Sequence, residues 1–348
     1  MKLKKNLNLS LDQFINHSLY DKKSGYYMKK NPFGKKGDFI TAPNISRLFS
    51  EMISVWTIAF WQSLGSPKKF NLIELGAGNG EMMKDIIETS QNFPNFFNSC
   101  NFMIHEKSPS LIKIQKKKLK KNKITWIDQI SKISNFPILF LANEFFDAMA
   151  IKQFVKKKDL WFEKFVKFES NKKAFFFDKQ TNIKNIEKKI NLTISKNQNF
   201  IEYSELGLNY LKEISKMIKK NDGGLLVIDY GDSNKKMRNT LKGISKHKFA
   251  NILKNIGNTD ITHNINFNLF NKFIKQLGNL ESNLTSQKKF LLKLGIKERA
   301  EIISKNLNFS EKANIYYRLQ RLIDDQQMGS LFKVMFIKNK KNKFNLGF

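Results

Sequence analysis

The stretch LIELGAGNG, residues 72–80, constrains the fold more than any other part of the chain. It continues the apolar run FNLIEL (70–75) and leads into EMMKDIIETS, whose apolar residues recur at helical spacing. A buried run, a glycine turn and a helix in succession begin a βαβ unit. Further short apolar runs follow, separated by helical stretches: NFMIHE (101–106), ITWI (124–127), PILFLAN (137–143) and GGLLVIDYG (223–231). Runs that are apolar throughout suit parallel strands covered on both faces. The expectation is an α/β fold with a parallel sheet and helices on both sides.

Two regions depart from this rhythm. Residues 1–66 carry helical patterns at Leu11 to Tyr20 and from Ile45 to Trp56, and read as an amino-terminal helical cap ahead of a main domain, 67–348. IKQFV (151–155), LWFEKFVKF (160–168) and AFFF (174–177) read as antiparallel strands, followed by a Lys/Asn-rich linker to about 200. This marks a β-rich insertion at about 151–200. Near the end, LESNLTSQ and LFKVMFIK are extended, with a helical stretch, KKFLLKLGIKERAEIISKNL, between them. The tract KIQKKKLKKNK (113–123) reads as a solvated helix with a weak apolar stripe.

Composition removes several classes. With 41% hydrophobic residues the chain can bury a core, and no apolar run approaches the roughly 18 residues a membrane span needs. The start, MKLKKNLNLSLDQF, lacks the apolar stretch of a signal peptide. One cysteine, Cys100, builds neither a disulfide framework nor a cysteine zinc site, and four scattered histidines suggest no metal. These features point to a cytoplasmic protein. The net charge of +32 invites a nucleic-acid partner, but only five of the 62 basic residues are arginine. Abundant Lys, Asn, Ile and Phe fit an AT-rich genome better than selection for base and phosphate reading, where the arginine fork is favoured. No specific nucleic-acid partner is expected.

The glycine loop narrows the ligand. A dinucleotide fingerprint needs glycine at 76, 78 and 81; the chain has Gly76, Gly78 and Gly80, with Glu81 at the third place. Glu74 is acidic, which repels a pyrophosphate and attracts an amine. S-adenosylmethionine, with an ammonium group and no phosphate, meets that description; a tight structural turn is the alternative. Glu106, ending the next apolar run, suits the two hydroxyls of an adenosine ribose, or is an exposed strand-end acid. Asp128, ending ITWI, stands where adenine contacts are made in class I enzymes. LANEFFDA then places Asn143, Glu144 and Asp147 beyond a strand's carboxyl end, the ligand crevice of open α/β sheets. They are either the methyl-transfer groups or an acidic helix start complementing the helix dipole. Thr262 and His263, in DITHNINF, are candidates for the substrate side.

GDFITAP (37–43), LIELGAGNG, ANEFFDA, VIDYG (227–231) and QMGSLFKV (327–334), in this order, resemble the MidA-like family of class I S-adenosylmethionine-dependent methyltransferases. The resemblance extends to LYDKKSGYY and TSQKKFLLKLGI, so it covers nearly the whole chain. It implies a seven-stranded class I Rossmann-like sheet, the insertion between strands four and five, and an amino-terminal cap. Gly37, Asp38, Thr41 and Pro43 would lie near the cofactor as a lid, or form a turn-rich junction. The family's mitochondrial member methylates an arginine of a respiratory complex I subunit, which implies a protein substrate here. Asn44 departs from the family's Glu after the proline. A small-molecule methyltransferase, or a non-catalytic assembly chaperone that binds the cofactor, is the competing expectation.

Overall fold

The structure, a computed structural model, describes residues 7–29, 41–170, 173–245 and 248–348. Its central sheet runs in the order Leu280–Ser286, Phe332–Asn339, Gly223–Asp232, Ile138–Asn143, Phe70–Leu75, Cys100–His105, Ile124–Ile127. The last five of these are mutually parallel; Phe332–Asn339 is antiparallel to both its neighbours. An eighth strand, Ile265–Asn266, pairs in parallel with Gly231 and Asp232, so the expectation of seven strands falls one short.

Both faces of the sheet are covered. Leu72 and Leu226 join a core with the helices Arg47–Ser63 and Glu81–Ser90, while Ile73 and Leu225 join one with Glu205–Asn221 and Phe267–Leu277. Adjacent strand residues point to opposite faces, so strands inside a two-sided sheet are apolar at every position. The chain moves outward from Phe70–Leu75 in one direction and then returns to Ile138–Asn143 on its other side. Strand order therefore reverses between these two strands, and a crevice opens beyond their carboxyl ends.

The insertion forms a second, antiparallel sheet: Lys152–Lys157, Leu160–Ser170, Lys173–Thr181 and Phe200–Tyr203, joined by Asn8–Ser10. The stretch read as a linker contains a helix, Ile183–Ile190, whose start is capped by the Asn182 side chain. The first 66 residues divide in packing. Leu11, Phe14, Ile15 and Leu19 of the helix Leu11–Tyr20 pack with Val166 and Phe168 of the insertion. Arg47–Ser63 instead enters the main core, where Trp56 meets the Phe336 ring edge to face at 4.9 Å. A third small sheet, Lys242–Ser245, Lys248–Ala250 and Asp260–Thr262, had no counterpart in the sequence reading. The late helical stretch breaks at Gly295 into Gln287–Lys293 and Ile296–Ser304, and the two extended segments flanking it do pair.

Candidate active site

The glycine loop joins Phe70–Leu75 to the helix Glu81–Ser90. Gly76 (φ +65°), Gly78 (φ +53°) and Gly80 (φ +76°) all take left-handed conformations, which cost side-chain-bearing residues energy. A Cβ on Gly76 would stand 2.9 Å from the Phe145 ring, so the loop and the segment after Ile138–Asn143 touch here. Gly76 and Gly78 line a cavity of about 280 Å³ at the reversal of strand order. Gly80 lies behind the loop against Gln115 and Leu119. Glu74 is buried beneath the loop, off the cavity wall. Burial, with the Glu106 charge adding, pushes its carboxyl up to about 8, and its Oε2 has no protein partner.

Glu106 does line the cavity. Its Oε1 accepts from the Lys107 and Ser108 amides at 2.9 Å each, and its Oε2 accepts from Gln115 Nε2 at 3.3 Å. Gln115 lies on the lysine-rich helix Pro109–Lys118 yet is fully buried. Its Nε2 also donates to the Gly78 carbonyl at 2.9 Å, and its Oε1 accepts from Trp126 Nε1 at 2.9 Å. One amide thus ties together the glycine loop, the strand-end acid and the next strand. The tract is therefore not solvated on all sides. The only sequence signal was an uncharged residue among lysines. Asp128 is exposed beyond Trp126 and does not line the cavity.

Beyond Ile138–Asn143 the chain turns tightly. Glu144 has φ +49°, unusual for a residue with a side chain, and its amide donates to the Ile228 carbonyl at 2.9 Å. Asp229, fully buried in the neighbouring strand, accepts from the Phe146 and Asp147 amides at 3.0 and 3.2 Å and from the Tyr230 amide at 2.8 Å. Asp229, in the VIDYG stretch, is thus the group that shapes the turn; the sequence reading gave it no role. Glu144 and Asp147 both line the cavity. Burial, with Asp147's charge adding, raises the Glu144 carboxyl to about 8, against a hydrogen bond from the Ala42 amide. Burial raises Asp147 as well, against a 2.9 Å hydrogen bond from Thr262 Oγ1 to its Oδ2, while its Oδ1 has no protein partner. Asn143 lies beside them but off the wall; its Nδ2 reaches Glu144 Oε1 at 3.4 Å.

Thr41 is buried and begins the short turn Ala42–Ile45. Its Oγ1 accepts from Asn44 Nδ2 at 2.7 Å, and Asn44 Oδ1 accepts from Asn79 Nδ2 of the glycine loop at 2.7 Å. Thr41 does not line the cavity, and Gly37 and Asp38 lie outside the described residues. Distant segments complete the lining: Tyr20, Tyr27, Asp260 and Thr262. His263 is not on it, since both ring nitrogens meet backbone carbonyls, of Asn264 and Met149.

The residues present fit S-adenosylmethionine. Gly76 and Gly78 allow close backbone approach, Glu106 faces the same cavity for a ribose, and the buried acid oxygens Glu74 Oε2 and Asp147 Oδ1 have no hydrogen-bond partner in the protein. Among the described residues no cluster suits a metal ion, and no helix is long and apolar enough to cross a membrane.

Residues 52–285 match a family model described as "Putative S-adenosyl-L-methionine-dependent methyltransferase". The chain is 26% identical over 362 residues to the mitochondrial protein arginine methyltransferase NDUFAF7 of Xenopus tropicalis, covering 95% of this chain and 83% of that one. It is 26% identical over 368 residues to the human protein of the same name, covering 95% and 80%. Its fold matches a crystal structure of a COG1565 superfamily member from Burkholderia thailandensis bound to S-adenosyl-homocysteine. The TM-score is 0.81 at 21% identity, over 98% of this chain and 90% of that one. The relatives are named mitochondrial, which overturns the expectation of a cytoplasmic protein. A low cysteine count argues against an oxidising compartment but does not tell one reducing compartment from another.

Proposed function

We propose, for a chain that belongs to the family of S-adenosyl-L-methionine-dependent methyltransferases, that the methyl acceptor is an arginine side chain of a protein. The observation behind this reading is the pair Glu144 and Asp147: both face one cavity with the glycine loop, and burial holds both carboxyls above their ordinary range. Buried carboxylates need a cation or several donors. A guanidinium supplies both and stays charged at any working pH. The curated relatives are named for the same acceptor. By the family resemblance, the protein that presents the arginine is a subunit of respiratory complex I.

When bound, S-adenosylmethionine supplies an electrophilic methyl group on its sulfonium. Gly76, Gly78 and Glu106 would hold it, with Asn44 and Gln115 keeping loop and acid in place. Glu144 and Asp147 grip the guanidinium and localise its charge away from the attacking nitrogen. Transfer of the methyl to that nitrogen would leave S-adenosylhomocysteine and release one proton. Glu144, whose carboxyl burial raises to about 8 in the chain alone, is the group placed to take that proton. The remaining work is orientation in a dry site.

The test is transfer of labelled methyl into the proteins of a lysate, followed by mass spectrometry of the labelled residue. Methylarginine is expected. Label confined to small molecules, or to lysine, would reject the reading.

A further inference from the structure

The cavity has an acid that the methyl-transfer reading above does not use. Asp260, 2% exposed, begins the strand Asp260–Thr262 of the small third sheet and lines the same cavity as Glu144 and Asp147. Thr262, two residues on and therefore on the same strand face, donates to Asp147 Oδ2 at 2.9 Å. Asp260 thus stands about 7 Å along the wall from the place where Thr262 meets Asp147, the advance of two extended residues. Tyr20, ending the helix Leu11–Tyr20, and Tyr27 are stacked with ring centroids 5.6 Å apart, and both line the cavity. The Tyr20 hydroxyl is occupied, donating to the Ala148 carbonyl at 2.9 Å, and the Tyr27 hydroxyl bonds Asp260. The cavity therefore takes carboxylates from two separate elements, two stacked tyrosine rings, and an Asp147 Oδ1 without a hydrogen-bond partner.

We infer that Asp260, oriented by Tyr27, is the specificity-determining acid of the acceptor cavity, selecting a guanidinium over an ammonium group by bridging with Asp147 across it. The inference rests on the arginine reading and deepens it. A guanidinium is a flat fork with donors on several edges and a face that stacks on tyrosine, so it can meet acids from two elements at once. An ammonium is a compact point charge and meets one acid while leaving the other without a counter-charge. Asp260 opens the DITHNINF stretch, where the sequence singles out Thr262 and His263 but not Asp260, more than a hundred residues from Asp147.

The probes are acetyl-arginine methylamide and acetyl-lysine methylamide, titrated by calorimetry or NMR into the full chain saturated with S-adenosylhomocysteine. The wild-type protein is expected to bind the arginine probe at least tenfold more tightly than the lysine probe. Asp260→Asn should weaken the arginine probe at least tenfold and the lysine probe less than threefold, with S-adenosylhomocysteine affinity unchanged. Asp260→Glu should recover part of the loss. Tyr27→Phe should weaken the arginine probe about threefold, and it decides the matter alone if Asp260→Asn no longer binds S-adenosylhomocysteine. Failure of the wild-type protein to prefer the arginine probe rejects the arginine reading itself. A wild-type preference that survives intact in these variants leaves that reading standing and rejects the role of Asp260.

Discussion

Asn44 Oδ1 accepts a hydrogen bond from Asn79 Nδ2 at 2.7 Å, tying the turn Ala42–Ile45 to the glycine loop. The same turn offers the Ala42 amide to the Glu144 carboxyl. A single short segment therefore touches both the cofactor side and the acceptor side of the cavity. The Asn44 amide serves as both donor, to Thr41, and acceptor, from Asn79. A carboxylate could accept from Asn79 but could not donate to Thr41.

Asn44→Ala removes both bonds and should weaken S-adenosylhomocysteine by about 5- to 30-fold, the scale of one or two ordinary hydrogen bonds. Calorimetry on the purified protein checks this. An unchanged affinity would mean that the turn and the loop are held together by packing alone.

Gly78→Val should abolish cofactor binding while the far-ultraviolet circular dichroism stays native. Gly78 has φ +53° and lines the cavity, and a β-branched residue is a steric outlier there. Its neighbours in the strand Phe70–Leu75 are fixed by the sheet, so the damage should stay in the loop. Retained affinity would contradict the placement of the cofactor against this backbone.

Gln115→Leu keeps the volume but strands the Gly78 carbonyl, Trp126 Nε1 and one bond to Glu106. Each group left unsatisfied costs about 1–3 kcal/mol when it stays buried. The melting temperature should drop by several degrees and cofactor affinity by more than tenfold. Loss of stability with full affinity would show that Gln115 only packs and does not orient Glu106.

Glu144 has an ordinary pKa near 4.5 and one of about 8 in the folded chain, because burial disfavours its charge. The folded state then binds more protons than the unfolded state between these values, so stability without acceptor falls as pH rises from about 4.5 to 8. Glu144→Gln removes this titration and should flatten that decline, while methyl transfer falls about 100-fold or more. Denaturant unfolding across the pH range measures the first effect and labelled transfer the second. A variant whose stability declines as steeply as the wild type would place the titration elsewhere, with Glu74 as the other buried acid raised to about 8.

Sequence alone was enough for whatever depends on neighbours along the chain. The left-handed glycines of 76–80, the apolar strands that alternate between two cores, and the acids at strand ends are local consequences of residue type and spacing. Glu106, Glu144 and Asp147 stand on the cavity because a strand's carboxyl end is fixed by the strand itself. Other parts of the site depend on contacts across long stretches of chain, and no period or motif records them. Asp229 holds the turn at Phe146 and Asp147 from 82 residues or more away, Gln115 reaches Gly78 over 37, and Thr262 reaches Asp147 over 115. Asp128 and Thr41, placed by analogy with neighbouring motifs, fall off the wall for the same reason. Which side chains share a cavity is settled by how the insertion, the amino-terminal helix and the small third sheet pack over the crevice, and packing is a property of the whole chain.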